Sequence, residues 1–210
     1  MDVATSLVQP YLHVNGYFTT TDYPLVEQLM HQPPRALTDV DMLAVRLDER
    51  EGGSDGVRKP RVTGPTVPKV DPALNTPPKR TDMIVAEIKK GRARINPASR
   101  TRNMLAGALA RFGCCPARKA PDLVQTLLQH GQATGDNGHV IRMVLFASQG
   151  ERAPQGWHWV RLDHVFRFLD EYLRREHKLL GHLDLRDPAL AWLSLMRKCG
   201  LSIEARESGQ

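Results

Sequence analysis

Three observations predict an α/β protein with a mixed central sheet flanked by helices. The chain has 210 residues and a hydrophobic fraction of 41%, which is enough to bury a substantial core. Strand-like segments follow an opening helix-like segment, and further helix-like segments separate and follow them. The segment 82–90 is apolar on both faces, which is typical of a central strand.

The first half of the chain predicts one helix followed by three strands. Apolar residues at helical spacing predict a helix from Val3 to Asn15, where Asn15-Gly16 stops it. β-branched and aromatic residues predict a strand over 17–30, before the Pro33-Pro34 breaker. Alternating patterns predict two further strands, over 36–47 and 82–95.

A segment rich in proline and glycine, 48–81, separates the second and third strands. It contains six prolines and four glycines and has little periodicity. We expect a long, mobile surface loop, either functional or a dispensable insertion.

The second half predicts a helix, a second helix, a strand and two C-terminal helices. Asn96-Pro97 has the residue types of a helix cap and first turn, which predicts a helix over 96–112 that ends before Gly113. The remaining predicted elements are a helix over 121–131, a strand over 139–148, and helices over 161–178 and 187–199. We expect residues 1–150 to form the core and 151–210 a helical extension packed on it, with the Trp157-His158-Trp159 segment as a loop.

The positive charge is unevenly distributed. The formal net charge is +6, yet the stretch from Ile88 to Pro121 holds nine basic residues and no acidic one. Such a run is either a solvated face or a surface that binds polyanions, and the absence of acid favours the second.

Two neighbouring strands each carry charge on an otherwise apolar face. Asp39 and Asp41 alternate with the apolar residues of one strand, and Glu87 and Lys89 do so on the next. Two carboxylates that meet inside a sheet repel each other unless a cation lies between them. Mg²⁺ suits hard oxygen ligands. Alternatively, the aspartates face water at a sheet edge, or Glu87 and Lys89 form a plain ion pair.

This pattern resembles the PD-(D/E)-x-K phosphodiesterase superfamily, which includes restriction endonucleases. Asp41 in DVDMLAV and Glu87-Ile88-Lys89 in VAEIKKG match its motif, although Val40 replaces the motif's proline and the spacing is long. The resemblance implies a restriction-endonuclease-like α-β-β-β-α-β core. It also implies metal binding by Asp41, Glu87 and the carbonyl of Ile88, with Lys89 as a catalytic residue.

Other site residues are predicted around this motif. Supplementary acidic candidates are Asp39 and Glu27, since the first helix offers only Asp2. Residues expected to contact nucleic acid are Arg92, Arg94, Arg100, Arg102 and Asn103. Lys90 should not take part, because it faces the other side of its strand, and Arg92 and Arg94 have the wrong parity for the site unless a bulge intervenes.

The predicted function is Mg²⁺-dependent, or Mn²⁺-dependent, hydrolysis of phosphodiester bonds, with DNA as the expected partner. Two alternatives stay open: a non-catalytic module on the same fold that binds nucleic acid or a protein, and a subunit of a repair or defence assembly. A homodimer, or a protein partner bound through the 48–81 loop, is also compatible with the sequence. Three cysteines and the absence of a signal-peptide pattern predict a cytoplasmic protein without a membrane span.

Overall fold

The computed structural model describes residues 2–27, 35–47, 70–180 and 185–203. Most of the 48–81 loop, residues 48–69, therefore lies outside the described residues. The helices are α1 (Val3–Val14), α2 (Arg102–Phe112), α3 (Ala120–His130), α4 (Leu162–Arg175), α5 (His177–Leu180) and α6 (Pro188–Lys198). The strands are β1 (Phe18–Glu27), β2 (Arg35–Arg46), β3 (Asp82–Arg92), β4 (Gln132–Thr134), β5 (Val140–Gln149) and β6 (His158–Arg161).

The described strands form one mixed sheet in the order β1-β2-β3-β5-β4, with β6 also paired to β5. The first three strands form an antiparallel meander, and β5 lies parallel to β3. On its other side, β5 pairs first with β4 and then, along its second half, with β6. Because β3 and β5 are buried over most of their lengths, they form the centre of the sheet.

Two apolar cores cover the two faces of the sheet. On one face, α1, α4 and α6 pack over strand residues that include Met42, Ile84 and Phe146. On the opposite face, α2 and α3 pack over a set that includes Leu43, Val85 and Leu145. The molecule is thus an α/β protein with helices on both sides of a mixed sheet, as the sequence predicts.

The prediction of a mobile loop over 48–81 is wrong for its last twelve residues. Leu74 is fully buried, and Asp71 accepts hydrogen bonds from the hydroxyl of Tyr11 and from the ring of His164. The side chain of Asn15 also accepts a hydrogen bond from the Asp71 backbone N–H. These partners lie far away in the sequence, so local composition does not reveal them.

A second buried network attaches the same segment to the sheet. The guanidinium of Arg142 forms two hydrogen bonds to the carboxylate of Asp82, at 2.8 and 2.6 Å, and a third to the carbonyl of Leu74. Tyr17 donates its hydroxyl hydrogen to Asp82 as well. Both charged side chains are almost completely buried, so each depends on the other for its charge balance.

Two predicted boundaries also need correction. The helix expected over 96–112 is two pieces, a short 3₁₀ turn (Pro97–Arg100) and then α2, and the side chain of Thr101, not Asn96, caps α2. The 157–159 segment, expected to be a loop, runs into the strand β6, and Trp157 is buried. The segment after residue 150 therefore supplies a strand to the sheet as well as helices. None of the described helices is both long and apolar enough to cross a membrane.

Candidate functional site

The candidate site lies where β2 and β3 separate. Regular pairing between these strands runs from Arg46–Asp82 to Met42–Ala86 and stops there. At the next position, the carboxylate of Asp41 replaces a backbone acceptor: its Oδ2 accepts a hydrogen bond of 2.7 Å from the N–H of Ile88. The Asp41 side chain is thereby held at the opening between the strands, next to β3.

Lys89 brings the two carboxylates together. Its ammonium nitrogen lies 2.6 Å from Oε1 of Glu87 and 3.8 Å from Oδ2 of Asp41. Both oxygens are measured from one nitrogen, so they lie no more than 6.4 Å apart, and the charge of Glu87 acts on the pKa of Asp41. The three residues that carry the predicted motif therefore converge in one place.

The environments of the two carboxylates differ. The Glu87 side chain is only 5% exposed, and its Oε1 also accepts a hydrogen bond from the backbone N–H of Asn96 at 3.3 Å. The Asp41 and Lys89 side chains are about one-third exposed, at 31% and 33%. Glu87 thus forms the floor of the site, while Asp41 and Lys89 are accessible to a ligand.

Burial and a neighbouring negative charge raise the pKa of Asp41. Desolvation is the largest cause, and the charge of Glu87 acts in the same direction. The hydrogen bond from the Ile88 N–H and the charge of Lys89 lower the pKa, but they do not fully compensate. The ionised form of Asp41 is therefore disfavoured, chiefly by burial, and a nearby cation would favour it.

The start of α1 contributes a further carboxylate close to this centre. Asp2 caps α1 by accepting hydrogen bonds from the N–H groups of Ala4 and Thr5. Its charge also contributes to the raised pKa of Asp41. Lys90 lies 3.5 Å from Asp2, so this lysine holds the first helix against β3 from the face opposite Lys89.

The structure does not bring Glu27 to the site. Glu27 pairs with Arg35 at the far end of the β1–β2 ladder, six residues from Asp41, which is about 20 Å along the strand. Asp39 lies on β2 opposite Pro24. The side chains of both acidic candidates lie outside the described residues.

A β-bulge changes where the first predicted arginine lies. The register between β3 and β5 shifts between Lys89 and Arg92, so that Arg92 pairs with Gln149. The extra residue on β3 reverses the alternation of side chains beyond it. Arg92 can therefore lie on the same face of the sheet as Glu87. Arg94 follows just after the strand, and both arginines are exposed.

The basic stretch is partly neutralised by acids from elsewhere in the fold. Lys89 and Lys90 pair with the carboxylates described above, and Lys119 forms an ion pair of 2.6 Å with Asp136. Arg100 and Arg102 are exposed beside α2, whose preceding 3₁₀ turn lies against β2, and Asn103 is exposed on the first turn of α2.

A groove between the ends of β3 and β5 adds a residue that the sequence analysis missed. Residues 92–94 form one wall and residues 149–155 the other, and the groove encloses about 960 Å³. Arg152 lies on the second wall, facing the same space as Arg92 and Arg94. Because 58 residues separate Arg94 from Arg152, only the parallel pairing of β3 with β5 reveals this arrangement.

The donor atoms at the site, carboxylate oxygens, are of the chemical type that a small, hard cation takes. Asp41 and Glu87 provide two carboxylates, and among the described residues no cluster of three or more acidic, histidine or cysteine side chains suited to a metal is found. Mg²⁺ commonly takes one or two carboxylates and keeps water or substrate oxygens at its other positions. A Zn²⁺ site with nitrogen or sulfur ligands is not what these two side chains would build.

Comparison of the chain with protein-family models, with curated proteins and with solved structures finds no match.

Proposed function

We propose that the protein is a metal-dependent phosphodiesterase that hydrolyses nucleic acid, most naturally DNA, at the Asp41–Glu87–Lys89 site. The observation that carries the proposal is the convergence of these three side chains at the point where β2 leaves β3. A surface ion pair does not require a second carboxylate on a neighbouring strand, held by a backbone N–H. A metal-dependent hydrolytic centre uses one or two carboxylates to hold its ion, and this arrangement supplies two.

The order of elements supports the same proposal. A helix, an antiparallel meander of three strands, a helical segment, the short β4 and a strand parallel to the third follow one another along the chain. Apart from β4, this is the core order that the resemblance to the PD-(D/E)-x-K superfamily implies. The candidate carboxylates lie on its second and third strands, where the resemblance expects them.

In this proposal, Asp41 and Glu87 hold one Mg²⁺ or Mn²⁺ ion, and the backbone carbonyl of Ile88 is the third expected ligand. When bound, the ion polarises the scissile phosphate and makes a water molecule more acidic. Glu87 is suited to a fixed ligand role, because it is buried and hydrogen-bonded to the Asn96 N–H. Asp41 is more exposed and would reach the ion from the neighbouring strand, β2.

Lys89 supplies the positive charge that the reaction needs. Its ammonium group neutralises the carboxylates in the absence of a cation and is exposed enough to turn toward a phosphate oxygen. There it stabilises the negative charge that develops as the phosphodiester bond breaks. Arg92 and Arg94, on the chain that leaves the site, are placed to attract the substrate backbone.

The direct contact between Lys89 and both carboxylates also favours a second candidate. A lysine that permanently fills the space between Asp41 and Glu87 would exclude a cation. The protein would then bind nucleic acid through its arginines without cutting it. The two candidates differ in one property, the dependence of cleavage on Mg²⁺ and on Glu87.

Cleavage of supercoiled plasmid separates the candidates. Purified protein with Mg²⁺ or Mn²⁺ is expected to nick or degrade the DNA, and chelation by EDTA should stop it. Glu87→Gln should abolish cleavage while the far-ultraviolet circular dichroism stays that of the wild type. Asp136→Asn, which also removes one carboxylate paired with a lysine, is the matched control and should cleave normally.

The nuclease proposal fails if wild-type protein and Glu87→Gln show the same residual cleavage. Salt-dependent DNA binding by a protein that never cuts would favour the binding module instead.

A further inference from the structure

The groove between residues 92–94 and 149–155 has the composition of an anion-binding surface. Three arginines line it, Arg92, Arg94 and Arg152, against a single acidic residue, Glu151. All three guanidinium-bearing residues are exposed. The groove is open to solvent along one side, so its occupant can extend beyond it.

The arginines of the groove are available for a ligand. Within the described part of the chain, no carboxylate lies within ion-pair distance of Arg92, Arg94 or Arg152, and none of the three side chains donates a hydrogen bond to the protein. The lysines of the basic stretch differ from these arginines, because Lys89, Lys90 and Lys119 all form ion pairs with acidic residues. Three unpaired arginines close together are unfavourable without an anion.

The floor of the groove is built to stay shallow. Ala93 donates its backbone N–H to the carbonyl of Gln149, which ties the two walls together at 2.7 Å. A Cβ on Gly150 would come within 3.0 Å of both the Ala93 side chain and the ring of Trp159. The lining of the groove therefore combines small residues, Ala93 and Gly150 among them, with the polar side chains named above.

The distance from the candidate site sets what the groove can contact. Arg92 lies three residues beyond Lys89, but the β-bulge between them shortens the step. Their partners on β5, Ala147 and Gln149, are two residues apart, which corresponds to about 7 Å along the strand. A strand of B-form DNA advances about 3.4 Å per nucleotide along its helix axis, so Arg92 lies about two nucleotides from a phosphate at Lys89. Arg94 and Arg152 continue the positive surface away from that point.

We propose that this groove binds the phosphodiester backbone of the substrate strand about two nucleotides to one side of the scissile phosphate, with Arg152 as a phosphate-contacting residue. The inference rests on the proposed function for its reference point, the phosphate at Lys89. It adds that the protein acts on polymers and needs several nucleotides on the groove side of the cut.

The lining favours a backbone over a small anionic effector. A nucleotide held as an effector needs an apolar or aromatic surface for its base, and the groove offers arginines, glutamines and small residues instead. Trp159 lies beneath Gly150, and its indole N–H is already donated to the carbonyl of Ala147. A repeating phosphate chain uses the charge of the whole groove, whereas a single phosphate uses only part of it.

Binding in EDTA tests the groove without requiring catalysis. We expect Arg152→Ala to weaken the affinity for a fluorescein-labelled 12-nucleotide DNA strand about tenfold at low salt, measured by fluorescence anisotropy. The dependence of the affinity on salt should fall by about one counterion. Arg152→Lys should restore most of the binding. Arg118→Ala, which removes an exposed arginine outside the groove, is the control and should bind nearly as the wild type does.

A length series and a small substrate complete the test. The affinity of the wild type should rise between two and six nucleotides and the difference from Arg152→Ala should appear only in the longer strands. Hydrolysis of bis-p-nitrophenyl phosphate with Mn²⁺, which reaches only the carboxylate site, should be equal in wild type and Arg152→Ala.

The outcomes separate the two proposals. Equal DNA binding by Arg152→Ala, Arg118→Ala and wild type overturns the proposal that the groove binds DNA. The proposed function is not affected by that result. Weakened binding in Arg152→Ala, in a protein that hydrolyses nothing, supports the groove while the proposed function fails. Binding of ATP that is lost in Arg152→Ala, together with DNA binding that is not, would identify a small-anion site and overturn the inference.

Discussion

Replacing Lys89 by methionine should have two opposite effects, because the lysine occupies the space that a cation would take. The substitution keeps the length and apolar stem of the side chain but removes the ammonium group. Lys89→Met should therefore bind Mg²⁺ or Mn²⁺ more tightly than the wild type does. It should also lose cleavage, because the charge that stabilises the breaking phosphodiester bond is gone.

The structure gives the size of the expected gain in affinity. In a water-like dielectric, ion pairs at 2.6 and 3.8 Å are worth about 1.6 and 1.1 kcal/mol respectively. Lys89 is one-third exposed, so solvent screening and the entropy of an ordered side chain reduce the total. We expect a net gain of about 1.4 kcal/mol, which corresponds to a tenfold lower dissociation constant.

Isothermal titration calorimetry with Mn²⁺ measures the effect directly. The matched control is Lys119→Met, because Lys119 forms an ion pair of the same length, 2.6 Å, with Asp136. That variant should bind Mn²⁺ as the wild type does. If Lys89→Met and wild type bind Mn²⁺ equally, the ammonium group does not compete with a cation, and the reasoning is refuted. Loss of Mn²⁺ binding in Lys89→Met would refute it as well.

Three further predictions concern the contacts that hold the fold together. Arg142→Leu leaves a fully buried carboxylate without its cation and should lower the free energy of unfolding by about 3–5 kcal/mol, measured in urea; a loss under about 1 kcal/mol would contradict this. The hydrogen bond to Asp71 raises the pKa of His164. Burial alone would raise the pKa of Asp71, but the hydrogen bonds that Asp71 accepts outweigh burial, and its pKa is lowered. Stability from this pair should be complete between about pH 4 and 6.5, falling as the pH rises through the raised pKa of His164. His164→Gln should remove that fall, so an unchanged pH profile would refute the assignment. Gly131→Ala should lower the melting temperature, because φ is +74° and the new Cβ would collide with a backbone carbonyl. Gly91→Ala meets no atom within 4 Å and is its control.

The strand pattern was sufficient to place the central residues. Period-two alternation puts Asp41 on one face of β2 and Glu87 with Lys89 on one face of β3, and adjacent pairing of the two strands then brings them together. The convergence of the three charged side chains can therefore be predicted from the alternation within each strand, once the two strands are assumed to be neighbours. The prediction of an α/β fold with a mixed sheet depended on the same patterns and is confirmed in that coarse form.

The features that the sequence did not reveal depend on contacts between distant parts of the chain. Asp71 is held by Tyr11 and His164, which lie 60 and 93 residues away, so a proline-rich segment became part of the core. Asn96 has the type of a helix cap, but its N–H is donated to Glu87 and the helix starts later, at Thr101. These contacts form only in the assembled fold, so local sequence does not indicate them.

The groove was missed for a similar reason. Gly91 is a local signal of the β-bulge after Lys89, but the position of Arg152 follows only from the way β5 pairs with β3. The uneven charge did indicate a basic surface. It did not indicate which residues are neutralised, because the acidic partner of Lys119, Asp136, stands outside the basic stretch.

Anomalous diffraction from crystals soaked in Mn²⁺ shows whether Asp41 and Glu87 together bind a cation. We predict one manganese peak with oxygen atoms of Asp41 and Glu87 at about 2.1 Å, the distance typical of small hard cations. The ammonium group of Lys89 should then have moved away from its 2.6 Å contact with Glu87. A Lys89 that still bridges both carboxylates, with no manganese between them at saturating concentration, would contradict the account.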